Sequence, residues 1–381
     1  MSQQLDLQDF LKKLKECPII DVRSEGEFEK GHVPGAYSLP LLNNAERAEV
    51  GITYKRYGRE KAIEKGFDLM GGKLGDYRRK ARKITKLWKK KFWEEEKETL
   101  PPSPQEIGMY CWRGGLRSGI MAWTLGLIRF QPYLLKGGYK TFRRWTLETL
   151  QTKKNIIVLG GMTGSGKTEI LQCLAGMGEQ IIDLEKLANH RGGAYGALGQ
   201  PLPPTYEQFE NYLALEWSQM KDDRLVWIED KGRFLGGIKI PDSIYESIMK
   251  ATAVELMVPR SIRRQRFILK HQTFPIEQLM ESTQKIKKRL GGNRLNEALE
   301  FLRNNDFEGW TEILFEYYDK TYNYSLSQRD VDSVYKLEID GQRYLKDAYK
   351  LKGFVNSIII NPTDIKRRPE VKEAALLPSD I

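Results

Sequence analysis

Short apolar runs and turn residues alternate along the chain in an order that predicts strands separated by helices. Ile19-Ile20-Asp21-Val22 reads as a buried strand, preceded by a short amphipathic helix carrying Leu5, Phe10, Leu11 and Leu14. The turn-rich Gly31-His32-Val33-Pro34-Gly35-Ala36 leads to a second short strand near Tyr37 to Pro40. Residues 73–98 are charged and tryptophan-containing and are predicted to be helical, with Pro101, Pro102 and Pro104 as the stop. A strand near Ile107 to Tyr110 then delivers Cys111 into a glycine-rich loop. A helix follows from about Ser118, and a strand around Tyr133 to Leu135 closes the unit. Strands alternating with helices predict a parallel-sheet α/β domain over residues 1–147, with 73–98 as a charged insertion.

The pattern restarts at Asn155-Ile156-Ile157-Val158-Leu159, a buried-type strand followed by a glycine-rich loop and a helix. Further strands are predicted at Gln180 to Ile182, Leu225 to Ile228 and Val254 to Val258, making a second α/β domain over 152–329. In the remainder, 330–381, Val334 to Ile339 and Ser357 to Ile360 read as strands and the chain end as loose. No role is assigned to this extension.

The length of 381 residues suits two domains, since one core stops growing well below that size. A hydrophobic fraction of 40% excludes a wholly disordered chain. Lys+Arg 62 against Asp+Glu 51 gives +11, a bias towards anionic partners such as nucleic acid. The start, Met1-Ser2-Gln3-Gln4-Leu5-Asp6, lacks the order of a secretory signal, and the longest apolar stretch, Gly119 to Ile128, is too short to span a bilayer. Cys17, Cys111 and Cys173 are too scattered for a disulfide framework or a Cys-x-x-Cys metal site, and His190 and His271 lack partners at metal spacing. A cytoplasmic protein with no membrane association and no tightly bound cofactor is expected.

Two segments carry chemistry. In Cys111-Trp112-Arg113-Gly114-Gly115-Leu116-Arg117-Ser118 a cysteine at a strand end meets glycine-rich backbone and a helix start. Inward N–H groups, the helix N-terminus, Arg113 and Arg117 favour the thiolate, and the same cradle can hold a phosphate, thiosulfate or selenophosphate oxyanion. Gly161-x-x-Gly164-Ser165-Gly166-Lys167-Thr168 fits a P-loop, in which backbone amides close around a diphosphate, Lys167 adds a point charge and Thr168 can ligate Mg²⁺. Asp183 and the pair Glu229-Asp230 end predicted strands where P-loop folds place base or metal carboxylates. The plainer reading of these carboxylates is a solvated strand end, and no metal site is assigned with certainty.

Basic residues interleaved with aromatics suit RNA, gripped through phosphates and stacked bases. Arg78, Arg79, Lys83 and Trp88 in the first domain and Arg263 and Arg264 in the second are the candidates. A solvated helix face explains any one run equally well. The arginines after Val258 could instead form a lid over P-loop phosphates.

Asp21-Val22-Arg23-Ser24-Glu25-Gly26-Glu27-Phe28-Glu29-Lys30-Gly31-His32-Val33-Pro34-Gly35-Ala36 resembles the opening signature of rhodanese domains, and Leu135-Lys136-Gly137-Gly138-Tyr139 their closing segment. The resemblance implies that Cys111 carries a sulfur or selenium atom as a persulfide-type intermediate. It makes Asp21, Arg23, Glu27 and His32 structural. Cys111 to Arg117 spans seven residues where single-turnover sulfurtransferase loops usually hold six, which is similar to the Cys-x5-Arg phosphatases. An ATP-coupled rhodanese-type sulfurtransferase acting on RNA, and a phosphatase fused to a P-loop kinase, therefore stay open on the loop alone.

The order of fragments is more specific. A rhodanese-like domain followed by a P-loop NTPase-like domain resembles the bacterial tRNA 2-selenouridine synthases. The resemblance also rests on Leu42-Asn43-Asn44-Ala45-Glu46-Arg47, Val50-Gly51-Ile52-x-Tyr54-Lys55, Ile228-Glu229-Asp230 and Tyr317-Tyr318-Asp319-Lys320-x-Tyr322. That family implies a tRNA with wobble 2-thiouridine as partner, S-geranylation from geranyl diphosphate, then replacement of the geranylated sulfur by selenium from selenophosphate. Cys111 would take that selenium as a selenosulfide, and an enzyme supplying selenophosphate is an implied partner.

Overall fold

The computed structural model describes residues 2–95 and 105–360. It divides into two compact units, one of residues up to Thr152 together with Pro204–Gln219, the other of Lys153–Pro203 and the chain from Met220 onward. The expected stop at Pro101, Pro102 and Pro104 and the loose chain end lie outside the described residues.

The first unit is built on a five-stranded, wholly parallel sheet. Its strands are β1 (Gln3–Leu5), β2 (Ile19–Asp21), β3 (Tyr37–Ser38), β4 (Gln105–Tyr110) and β5 (Phe130–Leu135), in the order β1-β5-β4-β2-β3. The central strand β4 is buried on both faces, with Ile107, Met109 and Tyr110 in the core, as a parallel sheet covered by helices requires. Cys111 follows at its C-terminal end, where the helix Leu116–Gly126 begins.

Asp21 and Arg23 form a fully buried pair beside that end. Arg23 Nη2 donates to Asp21 Oδ2 at 2.6 Å and to the Gly31 carbonyl at 2.6 Å, and its guanidinium lies 3.8 Å from the Tyr139 ring. A buried ion pair holds a fold only with good geometry and added hydrogen bonds, and here Arg23 Nε and Nη2 both bond Asp21 while Nη2 also reaches Gly31. The rhodanese-type opening is thus a structural knot. His32 belongs to it, stacked on Phe28 with ring centroids 3.8 Å apart and its Nδ1 2.9 Å from the Phe28 carbonyl.

Two long helices occupy the segment between β3 and β4. Asn44–Gly71 starts with a capping box at Asn43 and Glu46 and breaks at Gly58, whose φ of 83° leaves the helical region. Leu74–Glu95, predicted within 73–98, buries Tyr77, Ala81, Ile84 and Trp88 at a spacing of three and four and turns its basic residues outward. The helix Tyr206–Gln219 also packs in this unit. Asn211 Nδ2 donates to the Tyr139 hydroxyl at 2.7 Å, and Trp217 Nε1 to the Thr152 carbonyl at 3.1 Å.

The second unit has its own five-stranded parallel sheet. Its strands are β6 (Ile156–Gly160), β7 (Gln180–Ile182), β8 (Val226–Glu229), β11 (Thr252–Met257) and β12 (Val334–Glu338), in the order β12-β11-β6-β8-β7. A two-stranded ribbon, β9 (Phe234–Leu235) with β10 (Ile238–Lys239), stands apart from it. The segment after 329 is integral to this sheet. β12 extends it, and the helix Tyr344–Ile360 packs Ala348, Leu351, Val355 and Ile358 against Ile170, Leu171 and Leu174 of the helix Lys167–Gly176. The strand expected at Ser357 to Ile360 is the end of this helix. A β-branched run suggested extended backbone, but the apolar spacing of three and four sets the helical period. A second core, around Phe267, Trp310, Leu314 and Phe315, joins the helices Arg260–His271 and Phe307–Leu326.

Candidate functional site

Cys111 sits on a loop locked from behind by the closing segment after β5. Tyr139 N–H donates to the Cys111 carbonyl at 2.8 Å and Lys140 N–H to the Trp112 carbonyl at 2.9 Å. Gly114 and Gly138 meet back to back, both with positive φ of 64° and 62°. A Cβ on Gly138 would run into the Cys111 carbonyl and the Gly114 amide nitrogen. Gly138→Ala is therefore expected to lose roughly 2 kcal/mol of stability or more, from strain and clash together. Urea unfolding checks this, and an unchanged midpoint would contradict the locked loop.

The thiol is 3% exposed, its sulfur 3.3 Å from the Ser118 hydroxyl, which lies 3.1 Å from the Gly115 carbonyl. Burial alone pushes this thiol up. The Ser118 hydroxyl and amide, the Arg117 charge and the Arg113 amide outweigh it and hold Cys111 below the ordinary 9.0. Arg117 is itself anchored, its Nη1 donating to Glu27 Oε2 at 2.8 Å, while Arg113 is exposed. Cys17, by contrast, is pushed up to about 12 by burial and is inert. Alkylation of Cys111 by iodoacetamide, followed at its own peptide by mass spectrometry, should show a pH midpoint below 9.0 that moves up in Ser118→Ala. Equal midpoints in both proteins would remove the hydroxyl from the account.

The second site lies where β6, the middle strand of the other sheet, runs into the helix Lys167–Gly176. Gly161, Gly164 and Gly166 carry φ of 138°, 82° and 83°, the conformations that let successive amides turn into one cradle. Lys167 Nζ, half-buried, donates to the Gly161 carbonyl at 2.6 Å and reaches the Ser165 hydroxyl at 3.5 Å. Burial and the neighbouring Lys231 charge push its ammonium down to about 8. Burial pushes the Glu229 carboxyl up, but the charges of Lys231 and Lys167, with the nearby Thr168 hydroxyl, hold it below its ordinary value.

The loop is braced by residues far along the chain. Tyr322 accepts the Gly161 N–H at 2.7 Å on its hydroxyl oxygen, and Asp319 takes Arg263 at 3.0 Å through both oxygens. Arg263 in turn donates to the Thr163 carbonyl at 3.2 Å, and Arg266 to the Ser165 carbonyl at 2.8 Å. Of the arginines after β11 read as a lid, Arg263 and Arg266 instead grip the loop carbonyls, while Arg260 and Arg264 pair with Glu312.

The three candidate carboxylates separate. Asp183 caps the helix Leu184–Ala188, accepting Lys186 N–H at 3.0 Å and Gln172 Nε2 at 2.8 Å. Asp230 pairs with the buried Arg329 at 2.7 Å. Only Glu229 stays beside Thr168, and there it meets Lys231, which sequence reasoning missed. The one local signal was the placement of Lys231 immediately after Glu229-Asp230.

The family described as "tRNA 2-selenouridine synthase AAA domain" matches residues 154–346, and "Rhodanese-like domain" matches 6–144. A protein of Sulfurovum sp. named tRNA 2-selenouridine synthase is 35% identical over 351 residues, 83% of this chain and 90% of its own. The chain belongs to the tRNA 2-selenouridine synthase family. Similarly named proteins from Shewanella denitrificans and Proteus mirabilis are each 32% identical, over 85% and 88% of this chain and 92% and 96% of their own.

For a member of the tRNA 2-selenouridine synthase family, the distribution of the expected RNA contacts matters. Arg78, Arg79 and Lys83 lie exposed on the outer face of Leu74–Glu95. Trp88 is buried on the inner face and offers no stacking surface, which corrects its assignment. Arg263 is also withdrawn, being 5% exposed and committed to Asp319 and the P-loop, and Arg264 is paired with Glu312 at 3.2 Å. In their place Tyr54 and Tyr57 stand exposed on the helix Asn44–Gly71, just before its break. No helix among the described residues is long and apolar enough to cross a membrane.

Proposed function

We propose that this chain is an enzyme that replaces the sulfur of wobble 2-thiouridine in tRNA with selenium, in two stages served by its two sites. The supporting observation is the pairing, within one chain of this family, of a thiolate-favouring cysteine loop with a P-loop whose lysine is poised over its own carbonyls.

In the first stage the thiocarbonyl sulfur attacks C1 of geranyl diphosphate. The C–O bond to diphosphate breaks, and N3 loses its proton as the thioether forms. The barrier lies in charge growing on the departing diphosphate, which the amides of Gly164, Ser165 and Gly166, the Thr168 hydroxyl and the Lys167 ammonium are suited to stabilise. In the second stage water cleaves the P–Se bond of selenophosphate to give phosphate and selenide, the selenium ends at C2, and the sulfur leaves as geranylthiolate. Alkylation is what makes that sulfur a leaving group.

Cys111 serves this second stage as a nucleophile, with Arg113 and Arg117 supplying positive charge. Selenophosphate already carries selenium in the selenide state. A selenosulfide on Cys111 would need a two-electron oxidant, whereas attack by Cys111 on C2, followed by selenide displacing it, needs none. Arg78, Arg79 and Lys83 supply phosphate contacts to the tRNA, and Tyr54 and Tyr57 supply stacking faces.

Mass spectrometry of nucleosides from 2-thiouridine tRNA tests the proposal. Selenouridine is expected only when protein, geranyl diphosphate and selenophosphate are all present. Selenouridine formed equally well without geranyl diphosphate would refute the two-stage reading.

A further inference from the structure

P-loop proteins ordinarily hold a divalent cation between the hydroxyl after the P-loop lysine and a carboxylate ending a neighbouring strand. The corresponding groups here are Thr168 and Glu229, the latter at the end of β8, which pairs directly with β6. They do not fit such an ion. Glu229 is 4% exposed, and its Oε2 lies 2.6 Å from the Lys231 ammonium, which also lies 2.5 Å from Glu185 Oε1.

Lys231 is thus a buried cation, its side chain 13% exposed, set between two carboxylates where a metal would need those oxygens. The remaining acids nearby are spoken for, Asp230 by Arg329 and Asp183 by its helix cap. A divalent ion would have to displace Lys231 and then sit beside both the displaced ammonium and Lys167. The two lysines are close enough for the charge of Lys231 to bear on Lys167. An ammonium so placed can do part of what a cation does for a diphosphate, offering fixed positive charge already desolvated and oriented.

We propose that Lys231 stands in for the metal ion, so that the P-loop of this chain binds a diphosphate group through Lys167 and Lys231 without a divalent cation. This rests on the reading above that the P-loop receives a diphosphate.

The test is calorimetric titration of the full-length protein with inorganic pyrophosphate, in EDTA and in excess Mg²⁺. The dissociation constant in EDTA is expected to stay within about threefold of that in Mg²⁺. Lys231→Met should weaken binding in EDTA by roughly tenfold or more, and Mg²⁺, free to reach Glu229, should restore part of it. Lys231→Arg, which keeps the charge, should retain metal-independent binding and controls for folding.

Wild-type binding that requires Mg²⁺ would overturn the inference while leaving the diphosphate reading intact. The same follows if Lys231→Met binds like wild type in EDTA, which would make Lys231 a structural ion pair only. No pyrophosphate binding in either buffer would overturn the diphosphate reading and this inference with it. The wild-type comparison decides the question even if the methionine variant does not fold.

Discussion

Cys111→Ala, given 2-thiouridine tRNA, geranyl diphosphate and selenophosphate, is expected to accumulate S-geranyl-2-thiouridine while selenouridine formation falls by about 10³-fold or more. The expectation follows from where the thiolate is made. Its stabilisation comes from Ser118, Arg117 and the Arg113 amide, all on one loop and helix start in the first unit. None of these groups belongs to the phosphate cradle, which is built from Gly161 to Thr168 in the second. Removing the sulfur should therefore leave alkylation intact and stop exchange. Nucleoside mass spectrometry reads both species in one sample. Loss of the geranylated species along with selenouridine would place Cys111 in the first stage and contradict the assignment.

Lys167→Ala should do the reverse, lowering geranyl transfer by roughly 10²–10³-fold, the usual consequence of removing one preorganised stabiliser of developing charge. The pH dependence sharpens this. With the free ammonium at about 8, a bound diphosphate favours its charged form and raises that value. Below about 8 the lysine is already protonated, so affinity should be flat there. Above it, binding must take up a proton, and affinity for geranyl diphosphate should fall by up to about tenfold per pH unit. The facing charges are Lys231, Glu229, Glu185 and Asp230, and the first opposes the three carboxylates in setting that value. Geranyl diphosphate binding measured from pH 6 to 10 in wild type would contradict the role of Lys167 if it rose steadily through this range.

Local signals carried the strand assignments other than Ser357 to Ile360, which is helical, and both motifs, because a buried parallel strand and a phosphate loop are written in consecutive residues. β7 lies where it was expected, at Gln180–Ile182, and Cys111 follows β4 as the strand-then-loop pattern required. What escaped depends on distant partners. Tyr317-Tyr318-Asp319-Lys320-x-Tyr322 stood out as a fragment, yet its work is tertiary. Asp319 holds Arg263, and Tyr322 holds Gly161, more than a hundred residues upstream. Glu229 and Asp230 looked like a matched pair. They diverge because successive residues at a strand end point to opposite faces, one meeting Lys231 and the other Arg329.

The helix Asn44–Gly71 escaped for another reason. Much of its apolar content, Ile52, Tyr54, Tyr57 and Phe67, is exposed, so it shows no helical stripe to read. No local feature of Tyr206–Gln219 marks it as part of the first unit, since its contacts with His32, Tyr139 and Thr152 join residues far apart in sequence.

In the proposed reaction two separate sites serve two successive stages. The most direct measurement supplies Lys167→Ala with tRNA already carrying S-geranyl-2-thiouridine, plus selenophosphate and no geranyl diphosphate, and follows selenouridine by mass spectrometry. Conversion within about threefold of the wild-type rate is expected, because the damaged cradle is no longer needed. Failure of Lys167→Ala to convert a substrate that wild type converts would contradict it.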